Sequence, residues 1–311
     1  MISWTLAVFL LFLSLLKIVQ KKLAASVSDS SKATPGPWKL PLLGHLPFLG
    51  FFPHETMLKW KEKYGPIIFL QLGSYPAVVI NDGALIKAAF VLKVQPFRLY
   101  WLSLYFFPNW LIENAVRISL LELLAAGVDT NSSTLEWLIY YLVKYPQVQE
   151  KAVEEIHAAL GTNTFPRYSD RVNLPYCEAL LLETLRKTTI VPLSLPHNAL
   201  EDTEFQGFLI KKDTLVLGNL YAAHNDPKIW ADAGSFHPER FLDDNGKLNK
   251  MEAIVMSFST GKRKCIGENL ARNQLFLFAV SILQNYRLQA TSQLPSERGV
   301  LGITLACESF Q

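Results

Sequence analysis

The sequence predicts a mainly α-helical protein with small β-sheets. Apolar residues recur at helical spacing over several long stretches, and two of these stretches begin with a proline in the first turn. Runs with strand character are only a few residues long and are bounded by glycine or proline. The length of 311 residues is enough for a large core, and it fits either two domains or one large helical domain.

Residues 1–22 predict an N-terminal membrane anchor. Residues 2–19 are almost wholly apolar, and the nearby positive charges lie toward or beyond the C-terminal end of this segment, at Lys17, Lys21, Lys22, Lys32 and Lys39. The positive-inside rule therefore places the body of the protein in the cytosol. A cleavable signal peptide, cut near Ala24 and Ala25, is the alternative, but its positive charge would precede the apolar region.

A linker and proline-rich hinge are expected at residues 23–48, because the prolines at positions 35, 37 and 41 fix the backbone and forbid a helix. We expect the rest of the chain, residues 49–311, to form a single domain. Its first elements are predicted to be a short helix at 56–64 and two paired strands at 67–71 and 77–80.

One long, mostly apolar helix is predicted from Glu113 to Tyr145, where Pro146 stops it. Midway it contains Ala126-Gly127-Val128-Asp129-Thr130, whose small and hydroxyl-bearing residues weaken the backbone hydrogen-bond ladder and can open it. Close packing on a neighbouring helix is the simpler explanation for the small residues.

Two amphipathic helices are predicted next, at 146–160 and 175–187, and a buried helix follows at 268–283. Glu183 and Arg186 lie three residues apart in the second helix, so they share a face and can pair. Many exposed helices carry such a pair, and the pair alone does not indicate a function.

A β-hairpin is expected before the last helix. Strands at 207–210 and 215–217 flank a turn at 211–214. Asp213 stands at a turn position that favours the left-handed conformation, which aspartate can adopt.

Cys265 is the strongest functional candidate in the chain. It lies in the segment Phe258-Ser259-Thr260-Gly261-Lys262-Arg263-Lys264-Cys265-Ile266-Gly267, directly before the last predicted helix. A thiolate there would meet unpaired backbone N–H groups and the positive end of the helix dipole. The glycines allow close approach to a flat ligand, and Arg263 offers a fork of donors to a carboxylate. A small buried residue is the ordinary role of a lone cysteine, but this context favours a metal-binding thiolate.

Five residues at fixed spacing resemble the haem-binding loop of the cytochrome P450 family, whose proximal iron ligand is a cysteine thiolate: Phe258, Gly261, Arg263, Cys265 and Gly267. The resemblance implies haem b as the cofactor, with Cys265 as its metal ligand. It also implies a microsomal, family 2-like enzyme whose haem-binding domain occupies residues 49–311.

The resemblance extends to the long helix and to a histidine before the hairpin. It implies that Ala126 and Gly127 leave room for oxygen above the iron, and that Asp129 and Thr130 relay protons to it. It further implies that His197 joins Arg263 in binding the haem propionates. A hydrogen-bonded structural role for His197 is the equally open alternative.

Motif order strengthens the resemblance, because the helix with Glu183 and Arg186 is followed by Pro238-Glu239-Arg240-Phe241 and then by the cysteine loop. In the family, residues matching Glu183, Arg186 and Arg240 form a buried charge triad behind the proximal loop. Such a cluster needs all three partners, since a buried charge without a partner is costly.

The resemblance fails between Asp82 and Gly127. Only about 45 residues separate them, whereas family members carry several further helices there. The Trp-x-x-x-Arg of the family has no counterpart, because Trp101 is followed at i+4 by Tyr105 and Trp110 by Asn114. We therefore expect a cytochrome P450 fold truncated between the first helices and the long distal helix, and shortened around residues 83–113.

The implied activity is insertion of one oxygen atom of O2 into a lipophilic small molecule, either a xenobiotic, a steroid or a fatty acid. No flavin or nicotinamide fingerprint occurs in the sequence. The resemblance therefore implies that NADPH supplies electrons through a separate NADPH-cytochrome P450 reductase, with cytochrome b5 as a second candidate partner. The expected location is the endoplasmic reticulum membrane, with the catalytic domain on its cytosolic face. A net charge of +3 without a basic, aromatic-rich cluster argues against nucleic-acid binding.

Two other functions stay open from the sequence. A catalytically inactive truncated isoform or fragment would act, if at all, through membrane or protein contacts. A haem–thiolate isomerase or dehydratase would need no oxygen, although the pair Asp129-Thr130 argues against it.

Overall fold

The computed structural model describes residues 34–92, 97–98, 111–302 and 304–308. The predicted anchor at 1–22 and the start of the hinge lie outside these ranges. The described helices are α1 (Pro53–Tyr64), α2 (Gly83–Lys87), α3 (Leu111–Lys144), α4 (Pro146–Leu160), α5 (Pro175–Thr188), α6 (Leu220–His224) and α7 (Glu268–Asn285). The strands are β1 (Ile67–Leu72), β2 (Tyr75–Ile80), β3 (Phe97–Arg98), β4 (His197–Ala199), β5 (Thr203–Phe205), β6 (Phe208–Ile210), β7 (Leu215–Gly218), β8 (Val300–Leu301) and β9 (Leu305–Ala306). The predicted fold class, mainly α with small sheets, is confirmed.

The largest sheet has the strand order β1-β2-β7-β4-β3. β1 and β2 form the predicted antiparallel pair, with Ile67 opposite Ile80. Alternate residues of β2 enter two different apolar clusters, since Val78 and Ile80 lie in one and Val79 lies in the other. The sheet is therefore covered on both faces at this strand, which explains its nearly continuous apolar sequence.

The predicted hairpin between 207–210 and 215–217 is wrong. β6 pairs instead with β5, through a tight turn in which Gln206 and Gly207 both have positive φ, at 53° and 76°. Two successive left-handed residues suit a two-residue hairpin turn. β7 leaves that hairpin and lies between β2 and β4 in the large sheet, where its apolar side chains are buried.

Asp213 has the left-handed conformation that the sequence predicts, with φ of 63°. Its backbone N–H donates to the carbonyl oxygen of Ala199 at 2.8 Å, and the Ala199 N–H donates to Thr214 at 3.0 Å. The turn thus serves the pairing of β4 with β7, and it does not close a hairpin with β6.

The long helix predicted from Glu113 to Tyr145 is α3. Its C-terminal half packs against α4, α5 and α7 in the main core through a cluster of buried aromatic and aliphatic side chains, among them Trp137, Tyr140, Tyr141 and Leu142. The expected opening at residues 126–130 does not occur, because every residue there is α-helical. The Thr130 hydroxyl donates to the Ala126 carbonyl oxygen at 2.7 Å while the helix continues through it.

The N-terminal half of α3 is not packed in the same way. Five large apolar side chains between positions 120 and 128 are exposed by half or more of their surface: Leu120, Leu121, Leu123, Leu124 and Val128. No helix within the described ranges combines the length and the apolar character needed to cross a membrane.

Two histidines are fully buried, and burial lowers the pKa of both. The pKa of His54 falls to about 4, and that of His224 falls to about 3 because the positive charge of Arg186 adds to the effect of burial. In the unfolded chain both would titrate near their ordinary value of about 6.5.

We expect the free energy of unfolding to be highest above pH 6.5 and to fall as the pH is lowered toward 4. The unfolded chain binds protons there that the folded chain does not, which costs on the order of 2 kcal/mol per buried histidine by pH 5. Urea unfolding at pH 7 and pH 5 measures this difference. His54→Phe should shrink the difference, whereas the exposed control His157→Phe should leave it; an unchanged difference in His54→Phe contradicts the assignment.

Candidate functional site

Cys265 lies in the connection between a short 3₁₀ turn, Gly261–Arg263, and the start of α7. Its backbone N–H donates to the carbonyl oxygen of Phe258 at 2.9 Å, which closes the loop. The side chain of Cys265 is exposed, whereas Cys177 and Cys307 are buried. Burial raises the pKa of the Cys177 thiol and raises that of Cys307 to about 11, so Cys265 is the cysteine available as a ligand.

Gly261 is required by the backbone of this loop. Its φ is +83°, and a Cβ there would lie only 2.1 Å from the carbonyl oxygen of Phe90. The loop therefore packs backbone to backbone against the π-helical turn Ala88–Leu92, which continues α2. Gly267 has no such requirement, because its φ is −85° and a Cβ would lie 3.8 Å from the Cys265 sulfur.

Large apolar side chains next to Cys265 are uncovered. Ile266 is 87% exposed and Leu270 is 62% exposed. The helix that carries them, α7, is joined to α3 by a hydrogen bond from Asn131 Nδ2 to Gln274 Oε1 at 2.7 Å. Both helices bury their C-terminal halves in one core and leave apolar side chains uncovered on the N-terminal side of this contact.

The residues of this region fit a haem. One exposed thiol is a suitable iron ligand, the uncovered aliphatic side chains suit an apolar ring, and the exposed Arg263 suits a carboxylate. On α3, a Cβ added at Gly127 would meet no atom within 4 Å, and Ala126 beside it is exposed. Among the residues that the structure describes, no neighbouring helix packs against Gly127.

His197 and Arg263 lie close enough to interact. The ring of His197 is buried and stacks on Phe90 at 4.3 Å, and its Nδ1 is 2.8 Å from the Leu195 carbonyl oxygen. Burial lowers the pKa of His197, and the charge of Arg263 lowers it further. A carbonyl oxygen only accepts, so Nδ1 carries the proton of the neutral ring, and Nε2 can donate to a propionate only when the ring is protonated.

Asp129 and Thr130 have different partners. Thr130 donates back to Ala126 within the helix, whereas the Asp129 carboxylate accepts a hydrogen bond from Thr304 Oγ at 2.9 Å. Sequence reasoning missed Thr304, because it is 175 residues away and belongs to no motif. The contact ties the C-terminal segment to the middle of α3.

The structure brings Glu183, Arg186 and Arg240 together. Arg186 donates to both carboxylate oxygens of Glu183, at 2.7 and 2.9 Å, and both side chains are fully buried. Arg240 Nε donates to Glu183 at 3.1 Å. The backbone N–H of His237 donates to the same carboxylate at 2.8 Å, so Glu183 is saturated with donors.

Two hydrogen bonds join the C-terminal end of α5 and the end of α6 to the cysteine loop, and sequence reasoning missed both. Ser257 Oγ donates to the Leu185 carbonyl oxygen at 2.9 Å, and the Met256 N–H donates to His224 Nε2 at 2.8 Å. No spacing signal marks these residues, since their partners are 72 and 32 residues away.

Comparison with known proteins agrees with the fold. The model of the family described as Cytochrome P450 matches residues 34–103 and 110–309. The chain belongs to the cytochrome P450 family, and family membership implies a haem cofactor.

Its similarity to individual proteins points to family 2-like members. Over 191 residues it is 44% identical to Cytochrome P450 2U1 of Homo sapiens, a match that covers 61% of this chain and 35% of the human protein. It is 46% identical over 171 residues to Cytochrome P450 2B19 of Mus musculus, covering 55% and 35%. With Cytochrome P450 1A1 of Sparus aurata the identity is 43% over 171 residues, covering 54% and 33%. The chain spans about a third of the length of the curated relatives it matches.

Gly261→Ala should destabilise the protein more than a glycine change that meets no neighbour. A left-handed backbone alone costs an alanine about 1–2 kcal/mol, and the contact with the Phe90 carbonyl adds to that cost. Gly246→Ala is the matched control, since Gly246 has φ of +72° and open space around it. Urea unfolding compares the two, and equal losses would show that the close approach to Phe90 is not needed.

Glu183→Gln should lower the free energy of unfolding by about 3–5 kcal/mol, because it leaves the buried Arg186 guanidinium without its carboxylate and removes the partner of the partly exposed Arg240. The control is Glu150→Gln, whose partner Arg287 is 3.8 Å away and whose side chain is 59% exposed. That change should cost less than about 1 kcal/mol. Thermal or urea unfolding measures both, and a loss near that of Glu150→Gln would contradict a structural role for the triad.

Proposed function

We propose that this chain is the haem-binding part of a haem–thiolate monooxygenase that inserts one oxygen atom of O2 into a lipophilic small molecule. The supporting observation is the set of groups around Cys265: an exposed thiol before α7, with the uncovered side chains of Ile266 and Leu270 after it and Arg263 two residues before it. Membership of the cytochrome P450 family supports the same reaction class. Cys265 is the proposed metal ligand, in a loop bounded by Phe258 and Gly267.

The bound haem would supply the chemistry that activates oxygen. The chain would hold the ring and deliver protons. Arg263 would bind a propionate, and His197 would do so through Nε2 when its ring is protonated, because its Nδ1–H already donates to Leu195. On α3, Gly127 leaves space among the described residues, and the Thr130 hydroxyl and the Asp129 carboxylate provide groups that can pass a proton.

A lipophilic substrate is proposed because the uncovered face of α3 is apolar. Leu120, Leu124 and Val128 recur at helical spacing and are each more than half exposed. A xenobiotic, a steroid or a fatty acid would bury these side chains, with a favourable free energy of about 25 cal/mol per Å² of apolar surface.

Electrons are proposed to come from NADPH through a separate NADPH-cytochrome P450 reductase, with cytochrome b5 as a second donor. The cationic side chains of Lys262 and Lys264 are exposed in the cysteine loop and would attract an acidic partner surface. We place the protein at the endoplasmic reticulum membrane, held by residues 1–22, with the domain on the cytosolic face.

A second candidate function is that of an inactive fragment acting through membrane or protein contacts. The observation that favours it is the exposure of the N-terminal half of α3 in a chain that spans about a third of its relatives. Turnover with reductase and NADPH, with oxygen uptake matched to product and abolished by Cys265→Ala, would exclude it. Turnover without oxygen uptake would instead indicate an isomerase or dehydratase.

The full chain expressed with hemin should show the strongly red-shifted Soret band of a thiolate-ligated haem after reduction and addition of carbon monoxide. Cys265→Ser should lose this band, because a serine oxygen cannot replace the sulfur anion as a ligand. Cys307→Ala, at a buried cysteine, is the control and should retain it. Absence of the band in the unmodified chain, or its persistence in Cys265→Ser, would overturn the assignment.

A further inference from the structure

We propose that His224 is a positioning residue for the Cys265 loop, which it holds by accepting the backbone N–H of Met256. The inference rests on the proposed haem–thiolate function, because it concerns how the sulfur ligand is kept in place. His224 belongs to none of the motifs identified in the sequence, and it does not touch the sulfur itself. It acts through the backbone of the segment that leads into the loop.

His224 connects the charge triad to that segment. It is the last residue of α6 and is fully buried. Its carbonyl oxygen accepts from Arg186 Nη1 at 2.9 Å. On the other side of the residue, the imidazole lies between Thr189 and Met256, with Nδ1 2.8 Å from the Thr189 hydroxyl and Nε2 2.8 Å from the Met256 nitrogen.

The hydrogen bonds around the ring fix its tautomer. A backbone N–H can only donate, so Nε2 accepts from Met256 and carries no proton. The proton of the neutral ring is therefore on Nδ1, which donates to the Thr189 hydroxyl. That hydroxyl in turn donates to the Arg186 carbonyl oxygen at 2.8 Å. Each hydrogen bond in this series can run in one direction only, so the ring has one tautomer and one orientation.

A protonated ring could not make this contact, since Nε2–H and the Met256 N–H would be two facing donors. The surroundings keep the ring neutral. Burial and the charge of Arg186, which lies over the Trp230 ring that also contacts His224, both lower its pKa. The Met256 contact is thus present throughout the neutral pH range.

The segment held by His224 leads directly to the ligand. Met256 also accepts from the Ser259 N–H at 2.8 Å, which forms a turn around Ser257 and Phe258. The carbonyl oxygen of Phe258 then accepts from the N–H of Cys265 at 2.9 Å. A displacement of Met256 would therefore also displace Phe258, which accepts the Cys265 N–H, because one tight turn connects the two residues.

Two amide substitutions distinguish the contact made by Nε2 from the contact made by Nδ1. His224→Gln can place its oxygen near the position of Nε2 and still accept from Met256. His224→Asn is one methylene shorter, so it reaches only toward Thr189 and loses Met256. Both variants are neutral and polar, which makes them a matched pair.

The first measurement is hydrogen–deuterium exchange at the Met256 amide in protein prepared without haem. We expect His224→Asn to speed exchange there about tenfold, the effect of losing one hydrogen bond, and His224→Gln to change it little. The second measurement is the fraction of reduced, carbon monoxide-bound haem that shows the thiolate Soret band. We expect this fraction to fall in His224→Asn and to be retained in His224→Gln.

A core variant without loop contacts controls for lost stability. Val148→Ala removes buried apolar volume in the main core and should keep both the slow Met256 exchange and the thiolate fraction. His224→Asn with an unchanged thiolate fraction would overturn the inference. So would a thiolate loss that Val148→Ala reproduces at equal stability, or equal defects in the Gln and Asn variants.

The contact between His224 and Met256 can still be tested if His224→Asn does not fold. In the unmodified, haem-free chain the Met256 amide must be protected, and exchange at the rate of an amide without a hydrogen bond would refute the contact directly. Failure of the proposed function gives a different result, because the unmodified chain would then lack the thiolate band while its Met256 amide stayed protected.

Discussion

The rest of the structure depends on the burial of the Arg186 guanidinium. A buried cation is tolerated only when its charge is balanced and its donors are satisfied. The Glu183 carboxylate balances the charge, and carbonyl oxygens of His224, Ala233 and Ser235 accept the remaining donors. Because these carbonyls belong to α6 and to the segment after it, satisfying one side chain draws two parts of the chain onto α5.

The same constraint determines what is rigid around Cys265. Three contacts hold the loop and the segment that leads into it. Ser257 donates to a carbonyl of α5, and His224 at the end of α6 accepts from the segment before the loop. The backbone at Gly261 packs against the π-helical turn that continues α2. The Cys265 sulfur and the neighbouring Ile266 side chain are left exposed. A ligand that binds the sulfur would thus meet a preformed support, which reduces the entropy lost on binding.

Local signals allowed most helices to be predicted from the sequence. Pro146 and Gly161 bound α4, and Pro175 begins α5, because proline and glycine act on the backbone next to them. The hairpin prediction failed because β7 is paired with β2, a strand far away in the sequence. Contacts between Thr304 and Asp129, and between His224 and Met256, were missed for the same reason. Spacing identified the Cys265 motif but could not show which side of the loop is anchored.

The uneven packing of α3 and α7 suggests why cofactor and fold belong together in this chain. Both helices contribute their C-terminal halves to one closed core, and both leave apolar turns uncovered beyond the contact of Asn131 with Gln274. Water contact with Leu124, Val128 and Leu270 is unfavourable, and a flat apolar ring between the two helices would remove it. A ligand that binds only the folded chain also stabilises it by mass action. The hydrophobic effect that closes the core at one end of these helices would therefore favour haem at the other end, with Cys265 directly before the uncovered first turn of α7.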